Sequence, residues 1–201
     1  MYTLYYVPQA CSLATQAVLR ELGQDVRLVN KNDHHDFKSL NPVGTVPVLD
    51  DGQQILREGA AVMLHILKQH PSALFPKDEA GQTQATQNIM FANATMHPAY
   101  SRLFFIAQSL TNEAAKKQAF QAAQEWINVL WQVVENRLVE QSFLGGEHYS
   151  AADIMLAVYS RWGEHFPVVI EIGRRTRAML DTILSLPSLN ASLEAEAAQA
   201  A

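Results

Sequence analysis

The spacing of hydrophobic and polar positions changes along the chain. Tyr2 to Val7 is a short aromatic and β-branched run, the pattern of a buried strand. From Ser12 to Leu22, Leu13 with Ala17 and Ala14 with Val18 fall at helical spacing, and Gly23 follows as a natural stop. Val26 to Val29 predicts a second strand. Val46 to Leu49 and Gln53 to Leu56 flank Asp50-Asp51-Gly52, a turn signal that predicts a hairpin. Ala60 to Leu67 returns to helical period and ends before Pro71.

The predicted order is therefore β-α-β, a connecting segment, then β-β-α. Parallel strands joined by a helix, then an antiparallel hairpin and a covering helix, make a thioredoxin-like α/β arrangement. Between His70 and Gln82 two prolines, a glycine and mixed charge mark a boundary. We place the α/β domain at residues 1–76, a linker at 77–83, and a second domain at 84–201. Beyond the boundary no strand pattern appears. Glu79 to Leu110 and Glu113 to Gln141 are long and rich in Ala, Gln and Glu, which favour helix. Further helices are expected from Ser150, over Glu171 to Leu186, and from Ser188 onward. The Ala-rich tail after Leu193 is expected to fray.

Ser150 and Asp153 form an S-x-x-D capping box, with Tyr149 and Ile154 placed as its hydrophobic staple. This predicts a well-specified helix start and a structural, not chemical, role for Asp153. Its loss is expected to cost about 1 kcal/mol or more.

Composition narrows the possible functions. With 48% hydrophobic and 17% charged residues the chain can bury a core, so disorder is not expected. A formal net charge of -5 gives no reason to approach nucleic acid or an anionic membrane. Arg174, Arg175 and Arg177 read as a solvated helix face. No run approaches the roughly 18 apolar residues of a membrane span, and the start does not read as a signal peptide. The single cysteine excludes an internal disulfide and fits a reducing compartment, so a cytoplasmic protein with a small-molecule pocket is expected.

Three segments carry candidate chemistry. Cys11 stands where the first strand passes into the first helix, and free amides there favour a thiolate. The competing reading is a small buried hydrophobe. Asn41-Pro42-Val43-Gly44-Thr45-Val46-Pro47 is a constrained turn into a strand. With a cis Val46–Pro47 bond, Val46 would be free to pair in β fashion with a bound peptide; otherwise this is an ordinary loop. At Arg57-Glu58-Gly59-Ala60 a strand gives way to a helix. Its amides suit a carboxylate and Glu58 an ammonium group, together an amino-acid head; alternatively Glu58 only complements the helix dipole.

Taken in order, these segments, the helical second half, the Ser150–Asp153 box and the Arg161-Trp162 pair resemble the bacterial beta-class glutathione S-transferases over nearly the whole chain. The resemblance implies a transferase that activates the thiol of glutathione, its co-substrate, for attack on a small apolar electrophile or a disulfide. Cys11 matches the family cysteine that meets the glutathione sulfur. Val46 and Pro47 match the backbone pairing the cysteinyl unit and its cis proline, and Glu58 with Gly59 the γ-glutamyl site. His97, in Met96-His97-Pro98, matches a histidine facing the sulfur, and Pro98 predicts a local break in its helix. A homodimer without metal, nucleic acid or membrane partners is also implied.

The chain departs from the family at several points. The stretch between Val29 and Asn41 is short, leaving Lys31, and less well Lys38, for the lysine at the glycine end of glutathione. Met90 stands where the family often has an asparagine reaching across the dimer, with Asn93 nearby, and Gln9 replaces a common glycine. These changes motivate a second reading, a non-catalytic ligand-binding or partner protein. A third is a dedicated glutathione-dependent dehalogenase or isomerase. Asp33-His34-His35-Asp36 has metal-ligand residue types, but adjacent loop residues rarely converge on one ion, so no metal site is expected. Trp126, Trp131, Trp162, Phe104 and Phe105 are expected in core, interface or pocket wall.

Overall fold

The structure is a computed structural model describing residues 1–200. The first half builds a four-stranded sheet in the order β2-β1-β3-β4. β1 (Tyr2–Tyr6) lies parallel to β2 (Val26–Asn30), pairing Leu4 with Leu28, and antiparallel to β3 (Val48–Asp50), pairing Leu4 with Leu49. β4 (Ile55–Leu56) completes the hairpin. Its turn is organised by Asp51, whose carboxylate accepts from the amides of Gln53 and Gln54, both at 2.8 Å. Those donors hold the Asp51 carboxyl below its ordinary range.

The crossover helix α1 (Ser12–Glu21) ends as its sequence predicts. Gly23 takes φ +66°, its amide donates to Arg20, and Gln24 donates to Leu19, the pattern of a Schellman stop. Within α1 every residue from Ser12 to Leu19 is buried. One side meets the sheet and α3 (Gly59–Gln69), the other meets helices of the second half. The connecting segment holds a short helix, α2 (Phe37–Leu40), that periodicity did not predict.

The second half is helical: α4 (Glu79–Phe91), α5 (His97–Ser109), α6 (Glu113–Arg137), α7 (Ala151–Ser160), α8 (Arg174–Leu184) and α9 (Pro187–Ala200). α4 starts at Glu79, inside the segment read as linker. α7 is the hub: Ala151 to Tyr159 are all buried, and it packs on α1, α4 and α8. Asp153, fully buried, accepts from Ser150 N at 2.8 Å, Ser150 Oγ at 2.7 Å and Leu144 N at 2.9 Å. The break expected at Pro98 is a turn of π-helix over Ala92–Met96, where His97 N donates back to Ala92. Proline has no amide to donate and its ring crowds the carbonyl four residues before it, so a wider turn relieves the conflict.

The tail requires a correction. α9 packs along α1, with Leu189 and Ser192 fully buried and Glu196 only 3% exposed. The Ala-rich composition suggested fraying, but Leu189, Ser192, Leu193 and Glu196 make a helical stripe docked on the first domain. Ala201, also in the segment expected to fray, lies outside the described residues. Among the described residues no helix is long and apolar enough to cross a membrane.

Candidate active site

Two residues other than glycine have positive φ among the described residues: Gln9 at +60° and Glu58 at +68°. Left-handed backbone at such residues costs on the order of 1–3 kcal/mol and persists only where the surroundings enforce it. Both lie beside the candidate residues.

Gln9 leads into Cys11 and is held by the second domain. Its amide donates to Glu196 Oε2 at 2.7 Å, its carbonyl accepts from Trp162 Nε1 at 2.9 Å, and its side chain meets Arg161 at 3.4 Å. The positive φ explains why glycine suits this position, and the Glu196 clamp explains how glutamine is accommodated. Burial pushes the Glu196 carboxyl up, against the pull of its bonds to Gln9 and Gln16.

Cys11 caps α1, and its thiol donates to the Val46 carbonyl at 3.3 Å. The amides of Cys11 and Ser12 favour a thiolate, as expected at a helix start, but burial outweighs them and pushes the thiol up to about 11. Burial in the folded chain therefore opposes the thiolate that the helix position alone favours. Alkylation of Cys11 by iodoacetamide should rise with pH through a midpoint near 11. A midpoint at or below the ordinary thiol value, about 8.5, would contradict this geometry.

Val46 ends a loop built around buried Asn41, whose side chain donates to Thr45 O at 2.8 Å and accepts from Val43 N at 3.2 Å. Lys31 reaches the same loop, donating to Gly44 O at 2.8 Å, while Lys38 is exposed on α2. The Val46–Pro47 bond is cis, and the Val46 amide has no partner among the described residues. Pro47 leads to Gly59: a Cβ there would lie 3.7 Å from Pro47 Cδ.

His97 opens α5, with Tyr159 and Trp162 presenting edge-to-face geometry at 5.3 and 5.2 Å between ring centres. Burial lowers its pKa, so the imidazole is neutral at pH 7. Ser101 Oγ sits 2.9 Å from the His97 carbonyl and 3.2 Å from its Nδ1. A hydroxyl has one hydrogen; given to the carbonyl, it leaves the oxygen to accept from Nδ1–H. We therefore assign the Nδ1–H tautomer, which leaves Nε2 with a free lone pair.

Cys11 and His97 share a cleft of about 320 Å³ walled by Val7, Pro8, Phe104, Trp162 and His165. An open groove of about 550 Å³ between residues 138–143 and α8 is larger but gathers none of the candidate residues. Trp131 is core, bonded to Tyr100 Oη at 2.8 Å, whereas Trp126 and Phe105 are exposed and away from the cleft lining. The arginine cluster is not wholly solvated: Arg175 and Thr176 bond Glu135. In the Asp33–Asp36 segment His34 stacks on His35 at 5.5 Å. Among the described residues no three His, Cys, Asp or Glu side chains are placed to hold a metal. Sequence reasoning missed Glu196, Gln16 and Ser101. Helical spacing offered a signal for two: Glu196 on the buried stripe of α9, and Ser101 one turn after His97.

A thioredoxin-like sheet domain joined to a helical domain, with a cysteine, a cis-proline loop and a helix start along their junction, defines the class of protein. Comparison with known proteins agrees. The family model for the glutathione S-transferase N-terminal domain matches residues 14–76, and that for the C-terminal domain matches residues 92–184. Glutathione S-transferase GST-4.5 of Xanthomonas campestris pv. campestris is 30% identical over 199 residues, covering 96% of this chain and 98% of its own. A sphingomonad glutathione S-transferase solved with glutathione is 28% identical at TM-score 0.85, covering 97% of this chain and 98% of that one. The bacterial beta-class enzyme of Sphingomonas chungbukensis is 28% identical at TM-score 0.84, covering 96% and 98%. The chain belongs to the glutathione S-transferase family.

Proposed function

We propose that the protein is a glutathione transferase that lays glutathione along the loop from Cys11 through Val46 to Glu58 and aims its sulfur into the cleft. One observation carries this reading: the candidate residues form a continuous chain of neighbours across the domain junction. Cys11 Sγ meets Val46 O, the Val46–Pro47 loop abuts Gly59, and His97 shares the cleft with Cys11. The glutathione complex of the sphingomonad relative supports the same ligand.

In this reading the free Val46 amide pairs with the cysteinyl unit of glutathione. The opening amides of α3 take the γ-glutamyl carboxylate, Glu58 its ammonium group, and Lys31 the carboxylate at the glycine end. The Cys11 thiol turns from the Val46 carbonyl to the incoming sulfur and donates to it as a thiolate forms. His97 Nε2 accepts the glutathione proton, directly or through water. A sulfur–carbon bond then forms as the carbon–leaving-group bond breaks, and the leaving group departs with its electron pair. Phe104 and Trp162 wall the space for the apolar body of the electrophile.

Thiol–disulfide exchange through Cys11 is the finer part of the proposal. A Cys11 thiolate attacks a glutathionyl disulfide, forming a mixed disulfide and releasing a thiolate, and a second glutathione resolves it to oxidised glutathione. The raised thiol pKa makes this the slower activity at neutral pH. A homodimer acting on electrophiles in the cytoplasm, in a detoxifying role, completes the reading.

The test is conjugation of glutathione to an activated aryl halide, run beside glutathionyl-disulfide reduction, on wild type and Cys11→Ala. Glutathione-dependent turnover is expected in both assays for wild type, with reduction lost in the variant. Folded wild-type protein with neither activity, but with retained ligand binding, would favour a non-catalytic binding protein.

A further inference from the structure

We propose that the Tyr159 hydroxyl is a catalytic hydrogen-bond donor to the Cys11 thiolate, serving the thiol–disulfide exchange assigned to that cysteine. This rests on the Cys11 reading above and adds a residue of the second domain to it.

Tyr159 stands apart from the other fully buried tyrosines. Its side chain is 1% exposed, against 1% for Tyr6 and 0% for Tyr100. Tyr6 Oη donates to Gln199 Oε1 at 3.0 Å, and Tyr100 Oη accepts from Trp131 Nε1 at 2.8 Å. Tyr159 Oη has no hydrogen-bond partner among the described residues. Taking a hydroxyl out of water without a partner is unfavourable, and phenylalanine would fill the same space without that cost.

The surroundings of the ring point to its use. Tyr159 lies near the end of α7, the helix on which α1 packs, and Cys11 caps α1. The ring backs two walls of the cleft, with His97 edge-to-face at 5.3 Å and Trp162 tilted at 4.7 Å. Tyr159 itself does not line the cleft, so a ligand there meets those rings and not the hydroxyl. The reactive group within range is Cys11. Burial, and then the charge of Cys11, push the phenol well above its ordinary pKa. It therefore keeps its hydrogen at any working pH, and it donates without ionising.

In the unliganded site the Cys11 thiol gives its hydrogen to Val46 O at 3.3 Å. Once that hydrogen passes to His97 Nε2, nothing holds the sulfur against a carbonyl, and the anion turns to the free donor. The thiolate attacks one sulfur of a glutathionyl disulfide. A bond to Cys11 Sγ forms, the old sulfur–sulfur bond breaks, and its electron pair leaves on the other sulfur. When a second glutathione thiolate resolves the mixed disulfide, Cys11 departs as an anion and meets the same donor. Tyr159 keeps its proton through both steps.

Three measurements on Tyr159→Phe test this. Alkylation of Cys11 by iodoacetamide at about pH 8 follows the thiolate fraction and should be at least about threefold slower in the variant. The kcat for glutathionyl-disulfide reduction should fall by about tenfold or more. The variant should melt no lower than wild type, since the hydroxyl removed had no partner to lose. Equal alkylation rates, or a Tm lowered by more than about 3 °C, would overturn the proposal and leave the Cys11 reading intact. Folded wild type without disulfide reduction would overturn both.

Discussion

Replacing His97 with alanine is expected to lower kcat for glutathione conjugation by about 100-fold, with glutathione affinity changed by less than about threefold. The histidine lies across the cleft wall from Cys11, not in the loops assigned to hold glutathione. Its expected contribution follows from three facts. Burial keeps the ring neutral at pH 7. Ser101 commits the hydrogen to Nδ1, which leaves Nε2 as a base. The rings of Tyr159 and Trp162 set the imidazole plane. The pH dependence has a definite sign. A histidine whose pKa is lowered stays unprotonated below its ordinary value, so the acid limb of kcat/KM should fall below about pH 6.5. That limb should vanish with His97→Ala. A wild-type limb above this value, or an unchanged kcat in the variant, would remove His97 from the proton transfer.

The second large effect is on stability. Asp153→Ala is expected to destabilise the fold by about 3 kcal/mol or more, exceeding the value expected for a cap alone. The carboxylate is fully buried, and its loss leaves Ser150 N, Ser150 Oγ and Leu144 N without their acceptor. For a chain of this size the corresponding drop in Tm is roughly 6–12 °C. Asp153→Asn retains one oxygen and should fall between the two. Because α7 ends at Ser160, two residues before Trp162 of the cleft wall, and Asp153 lies at its far end, activity should fall with the folded fraction and not ahead of it. Thermal melts of the three proteins check this, and a shift under about 2 °C for alanine would contradict it.

Local signals were legible in the sequence because their causes are local. Gly23 announced the stop of α1, Asp51-Gly52 the hairpin, Pro98 the broken helix and Ser150–Asp153 the start of α7. Features set by tertiary contact were not. Cys11 looks activated from its helix position, but the burial that keeps it a thiol comes from chain folded over it, with Val46 taking its hydrogen. Glu196 sits in an Ala-rich tail, and only the packing of α9 on α1 turns it into the clamp on Gln9. The approach of Asn93 Oδ1 to within 2.7 Å of where a Cβ on Gly59 would stand joins residues 34 positions apart and leaves no mark on local pattern. Phe37–Leu40 is too short for periodicity to declare.

The central claim is that the cleft stabilises the anion of glutathione's sulfur. Titration of bound glutathione by the ultraviolet absorbance of its thiolate tests this most directly, with the same protein titrated without glutathione to subtract the contribution of Cys11. The account predicts that the bound sulfur ionises at least one pH unit below the value of about 8.5 for an ordinary cysteine thiol. Glutathione that binds yet titrates at or above that value would contradict it.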